Sequence, residues 1–164
     1  MRKLRIVTVA ALVLAMAFST TALAAPSPMA GTVMVVVPGG NGTPASAKVS
    51  MPTQKQLEAL ASFISKDAAA AGLVPSVKST IDISAPADYK GGDTPVVFAV
   101  AGLRNGANNV FAYILLPNGK TVVVPCTVRN GYVGFFAPAF GTVSIVELNV
   151  PGAIPSTALP ATLH

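Results

Sequence analysis

The sequence predicts an α+β fold: one amphipathic helix packed beside a small antiparallel β-sandwich or barrel of about six to seven strands. Three observations lead there. Residues 53–71 carry a single capped stretch of helical period, and from Val77 onward the apolar period shortens from 3.6 to 2. All 14 glycines and 14 prolines lie beyond residue 24, spaced rather than clumped, as short strands joined by tight turns require.

The chain divides into a signal peptide (1–24), a leader with one short strand (25–50), a single α+β domain (51–148) and a flexible Pro-rich tail (149–164). Arg2, Lys3 and Arg5 precede an almost wholly apolar run from Ile6 to Phe18, and Ala22 and Ala24 stand at the −3 and −1 positions of an A-x-A site. That pattern is an export signal, and the run is too short to span a bilayer. Its removal leaves eight basic against six acidic residues, so the formal charge falls from +5 to +2. The remaining cations are scattered, which argues against a nucleic-acid partner. No second long apolar stretch follows, so no transmembrane segment is expected after cleavage. The expected location is secreted and extracellular, with cell-surface association.

In the leader, Thr32 to Val37 (TVMVVV) is β-prone and stops at Pro38-Gly39-Gly40. The helix opens on Thr53 with Gln56 three residues later, a capping box in which each side chain satisfies an orphaned backbone N–H. Leu57, Leu60, Ala61, Ile64, Ala68 and Ala71 form its apolar stripe, Gly72 is placed as the left-handed cap, and Pro75 blocks continuation. The stripe is rich in alanine, which favours close packing on a sheet.

Strands are expected at 78–84, 95–101, 109–116, 121–129, 132–137 and 142–148. Val96, Phe98 and Val100 share one face. In the next strand Val110, Ala112, Ile114 and Leu116 oppose Phe111, Tyr113 and Leu115, so both faces are apolar and a central position follows. Asn130-Gly131 is the strongest hairpin signal, because a two-residue type I′ turn needs positive φ at both positions.

The side-chain inventory excludes much chemistry. The single histidine is His164 and the single cysteine Cys126, so neither a Ser-His-Asp arrangement nor a zinc site can be assembled. Cys126 shares the phase of Val122, Val124 and Val128, which makes it a small core residue, the alternative being a free reactive thiol. The carboxylates are Glu58, Asp67, Asp82, Asp88, Asp93 and Glu147. Only Asp88 and Asp93 cluster, in a Gly-containing loop with Lys90, read as a solvated turn or as a weak Ca²⁺ loop. The expectation is no enzyme, no catalytic, cofactor-binding or metal residues, and no cofactor. Most aromatics sit in core-predicting patterns, with Tyr89 and Tyr132, both near turns, expected to be exposed.

Beyond the helix, four pieces recur in order: Asp82 to Pro86 (DISAP), Val96 to Gly106, Val110 to Gly119 ending in Asn-Gly, and Phe136 to Val146 (FAPAFGTVSIV). Together they resemble a small helix-plus-β-sandwich domain of exported and cell-surface proteins of Gram-positive, often gut-dwelling, bacteria. The chain departs from that pattern in having no Trp after Asn118-Gly119. Its tail reads Leu159-Pro160-Ala161-Thr162-Leu163, where a sortase signal needs glycine at the fifth place. The resemblance implies topology and an extracellular setting and carries over no catalytic residues. The functional expectation is a secreted, non-enzymatic structural or adhesive surface module, with other surface proteins or wall glycans as partners. The alternative is a soluble ligand- or glycan-binding protein assisted by Ca²⁺.

Overall fold

A computed structural model describes residues 34–35, 45–86, 89 and 91–152. The expected signal peptide and most of the tail lie outside the described residues. Among these residues, ten strands and one helix run in the order β1 (Met34–Val35), β2 (Ala45–Ser46), β3 (Lys48–Ser50), α1 (Gln54–Ala70), β4 (Val74–Ser84), β5 (Thr94–Ala99), β6 (Val110–Leu115), β7 (Thr121–Pro125), β8 (Thr127–Arg129), β9 (Tyr132–Ala137) and β10 (Thr142–Asn149). They form two antiparallel sheets, ordered β2-β1-β5-β9-β8 and β3-β4-β10-β6-β7. The architecture is the expected α+β one, a helix beside a β-sandwich.

The strand count exceeds six to seven for two physical reasons. Where the sequence predicts one strand before residue 50, three short ones add to the sheet edges, β3 pairing with the end of β4 through Val49 and Ile83. The predicted strand 121–129 breaks at Cys126, because β7 belongs to one sheet and β8 to the other. The corner is made where Pro125, with no N–H to donate, is followed by Cys126, whose amide donates to the Val110 carbonyl at 2.9 Å.

The helix ends are built as their residues demand. The Gln56 amide donates to Thr53 Oγ1, and the Thr53 amide donates to Gln56 Oε1 at 2.7 Å. At the other end Gly72 takes φ +67°, while Leu73 N–H reaches the Ala68 carbonyl and Gly72 N–H the Ala69 carbonyl, a complete Schellman cap. The buried stripe is narrower than the periodicity predicts: Leu60, Ile64 and Ala68 are buried, whereas Ala61 and Ala71 are exposed. Full burial of Leu60 and Ile64 is worth about 1.5–3 kcal/mol each.

The second sheet is therefore covered on both faces. Val110, Ala112 and Ile114 of β6 join Val143 and Ile145 of β10, and Ile81 and Ile83 of β4, in the core between the sheets. Opposite them, Tyr113 and Val146 pack under Leu60 and Ile64, with Val77, Phe111, Leu115 and Leu148 at the margin. This is the two-faced strand read from the sequence, held internally between β7 and β10. Strict alternation would put Val77 on the face of Ile81. A bulge prevents it: Ile145 pairs with Ser79 and Val146 with Val77, leaving Lys78 as the extra residue. Lys78 then reaches Glu147 at 2.9 Å.

Both Asn-Gly turns close hairpins. Asn130 and Gly131 have φ of +53° and +78°, the type I′ geometry, with Arg129 registered opposite Tyr132. Leu116 to Lys120 instead close on a 2.9 Å bond from Gly119 N–H to the Leu116 carbonyl, with Gly119 left-handed at φ +81°. That is the three-residue loop that Pro at its first position favours.

Candidate interaction surface

Of the five carboxylates among the described residues, four are engaged within the fold. The Asp82 carboxylate accepts from Thr142 Oγ1 at 2.8 Å, Ser50 Oγ at 3.3 Å and Gln56 Nε2 at 3.4 Å. It thereby joins β3, β4, β10 and the first turn of the helix. Asp67 accepts from the Tyr113 hydroxyl, Glu58 from Gln54 and Glu147 from Lys78. Among the described residues no three of His, Cys, Asp and Glu converge as metal ligands do.

Of the loop pair, Asp93 is exposed directly before β5, while Asp88 and Lys90 lie outside the described residues. Gly91 and Gly92 carry the turn at φ +94° and +97°. Tyr89, expected to be exposed, is half-buried. Its hydroxyl donates to the carbonyls of Gly92 and Pro138, both at 3.1 Å, and its ring meets Phe140 edge-on at 4.8 Å. The aromatic thus anchors the loop onto the sandwich end.

Cys126 sits at the sheet-to-sheet corner, half-buried against the sandwich core. It keeps the inward phase of Val124 and Val128 expected of it, packed against the same core but only half-buried. Burial pushes the thiol up to about 12, so it stays protonated at neutral pH. His164 is outside the described residues.

The surface that stands apart is the outer face of the first sheet. On β9, Val133, Phe135 and Ala137 point into the core, which sends Tyr132, Gly134 and Phe136 outward. Tyr132 is 54% and Phe136 64% exposed. They lie four residues apart on one face, about 13 Å along the strand. Register places Pro95 beside Phe136, Val97 beside Gly134 and Ala99 beside Tyr132. Val97 is itself 40% exposed, and a Cβ on Gly134 would lie 3.6 Å from its Cγ2. On the other flank β8 places the exposed Thr127 beside Gly134 and Arg129 beside Tyr132.

A contiguous apolar strip with an aromatic at each end is therefore presented on a rigid sheet, bordered by a cation. Contiguous patches of this kind mark interaction surfaces, unlike singly scattered apolar residues. Tyr132 is where the sequence places an exposed aromatic; Phe136 is not, since its pattern predicts core. The signal was nonetheless present: in a strand, Phe135 and Phe136 must point to opposite faces.

No protein-family model, curated protein or solved structure matches this chain, so its assignment rests on the fold and surface described above.

Proposed function

We propose that this chain is an exported, non-enzymatic structural or adhesive module of a bacterial surface, working through the outer face of its first sheet. The observation that carries the reading is the exposed pair Tyr132 and Phe136, aligned on one strand beside Pro95 and Val97. Tyrosine offers contact area with little rotamer entropy to lose, and a sheet holds the strip in one geometry. The export signal read in the first 24 residues and the resemblance of residues 82–148 to surface domains support the setting. The protonated, half-buried Cys126 and the engagement of Asp67, Asp82 and Glu147 within the fold support a binding role.

Fractionation of the native producer tests this directly. The wild-type chain should be retained with the cell-surface fraction, and the double variant Tyr132→Ala/Phe136→Ala should be released to the supernatant while remaining folded. Equal retention of both would overturn the assignment of the surface.

A second reading, glycan binding, is favoured by the same strip, because sugar rings stack on aromatic faces. A glycan array with and without Ca²⁺ separates the two. Saturable binding lost in Tyr132→Ala supports a glycan ligand, and loss in Asp93→Ala or on chelation adds the Ca²⁺ loop.

A further inference from the structure

The helix packs over β4, β10 and β6, and β7 beyond them closes the sheet as its outermost strand. The Phe63 ring of the helix meets Tyr113 edge-on at 6.2 Å, and Tyr113 is registered opposite Val123 of β7. Phe63 and Val123 remain 38% and 37% exposed. The apolar layer under the helix thus runs out to an edge that no other strand among the described residues covers.

The hydrogen-bond phase of that edge is set at both ends. Leu116 N–H donates to the Lys120 carbonyl at 2.8 Å, and Cys126 N–H donates to the Val110 carbonyl at 2.9 Å. Residues 120 and 126 therefore direct their backbone groups toward β6. By alternation so do Val122 and Val124, while Thr121, Val123 and Pro125 direct theirs away from the sheet. Pro125 occupies an outward position, where its missing N–H costs β6 nothing. Lys120 and Pro125 blunt the two ends of this edge, but between them the outward positions Thr121 and Val123 carry no charge, proline or bulge.

We infer that this edge joins the same edge of a second copy, β7 to β7, antiparallel, about a two-fold axis through Val122. That axis sets Thr121 opposite Val123 of the second copy and Val123 opposite Thr121, completing four main-chain hydrogen bonds. An axis through Val123 would instead set Pro125 opposite Thr121 and lose a donor. An axis through Thr121 would set Val123 opposite Gly119, which lies in the left-handed turn at φ +81° and outside the strand. The edge is self-complementary in one register.

Charge agrees with that register. Lys120 faces Val124 of the second copy, and the two Lys120 residues fall about 13 Å apart along the strands, beyond the Debye length of physiological salt. The axis stands perpendicular to the sheet, so the product is a continuous ten-stranded sheet with both helices on one side. Thr121 and Val123 lie on that side, and they pair across the seam as β-branched neighbours do in stable ladders. Phe63 of each copy borders the seam. Such an interface is isologous and closes at two copies.

Sedimentation of the purified chain from micromolar to millimolar concentration tests the inference, alongside amide hydrogen exchange. A monomer–dimer equilibrium is expected, with the Thr121 and Val123 amides gaining protection as dimer forms. Val123→Pro removes only an outward N–H, and Val123→Lys brings two cations to the seam. Each should weaken dimerisation about tenfold or more without changing the far-UV circular dichroism. Should the proline variant misfold, the lysine variant and the exchange pattern of the wild type decide. A chain monomeric to millimolar concentration, a dimer that survives both substitutions, or protection arising elsewhere would each overturn it. None of these outcomes bears on Tyr132 and Phe136, which lie on the other sheet.

Discussion

The Tyr113 hydroxyl donates a 2.7 Å hydrogen bond to the Asp67 carboxylate, joining the middle of β6 to the last turn of the helix. A carboxylate there is disfavoured by the negative end of the helix dipole. A donor rising from the sheet offsets that penalty and fixes where the helix ends along the strand.

Tyr113→Phe keeps the packed ring and loses the bond, so it should cost about 1–2 kcal/mol, toward the lower end because Asp67 stays hydrated. Burial, and then the Asp67 hydrogen bond and charge, hold the phenol well above its ordinary value of 10. A raised value in the folded state means stability that is complete below about pH 10 and is lost as pH rises above it. Urea unfolding across pH 8 to 11 should show the wild type weakening more steeply than Tyr113→Phe. Parallel slopes would refute this account.

Gly141 is constrained by space. A Cβ there would run into the Leu115 carbonyl oxygen and lie 3.4 Å from the Leu116 Cα, both backbone atoms that cannot swing aside. The Gly141 carbonyl also accepts from Ile83 N–H at 2.9 Å, so the segment cannot simply move off. Gly141→Ala should destabilise by about 2 kcal/mol, read as a lower denaturation midpoint with unchanged m-value.

Ser79 faces the sandwich core beside the bulge, and its buried hydroxyl has no hydrogen-bond partner among the described residues. Thr80 on the opposite face has one, a 2.8 Å bond to Ser144. Ser79→Ala should therefore raise stability by about 1 kcal/mol, whereas Thr80→Val should lower it, because Ser144 is then left unpaired. Thermal unfolding of the two variants gives opposite signs if the assignment is correct.

Cys126 should be a slow nucleophile. With the thiol near 12, the thiolate fraction at pH 8 is about 10⁻⁴, against roughly a quarter for an ordinary thiol. Alkylation of the folded chain should run about a thousandfold slower than in denaturant. Comparable rates would show that the corner opens readily.

Elements controlled by neighbouring residues were legible in the sequence. Thr53 and Gln56 mark the helix start because a capping box spans one turn of chain. Asn130 and Gly131 mark a hairpin because the positive φ they adopt is a property of those two residues. The two apolar faces of Val110 to Leu115 foretold an internal strand. The candidate surface was only half legible: Tyr132 stands next to a turn, but Phe136 lies inside an apolar run whose neighbours are core.

What the sequence determined by itself was the kind and order of the elements, since helix caps, turn conformations and side-chain alternation act over a few residues. Tertiary structure alone decided which strands share a sheet. The run 121–129 divides at Pro125 and Cys126, Lys78 is squeezed out as a bulge so that Val77 can meet the helix, and Phe136 is left facing outward. Those outcomes depend on which distant surfaces find each other and how much apolar area each pairing removes from water. Tyr113 and Asp67, 46 residues apart, meet for the same reason.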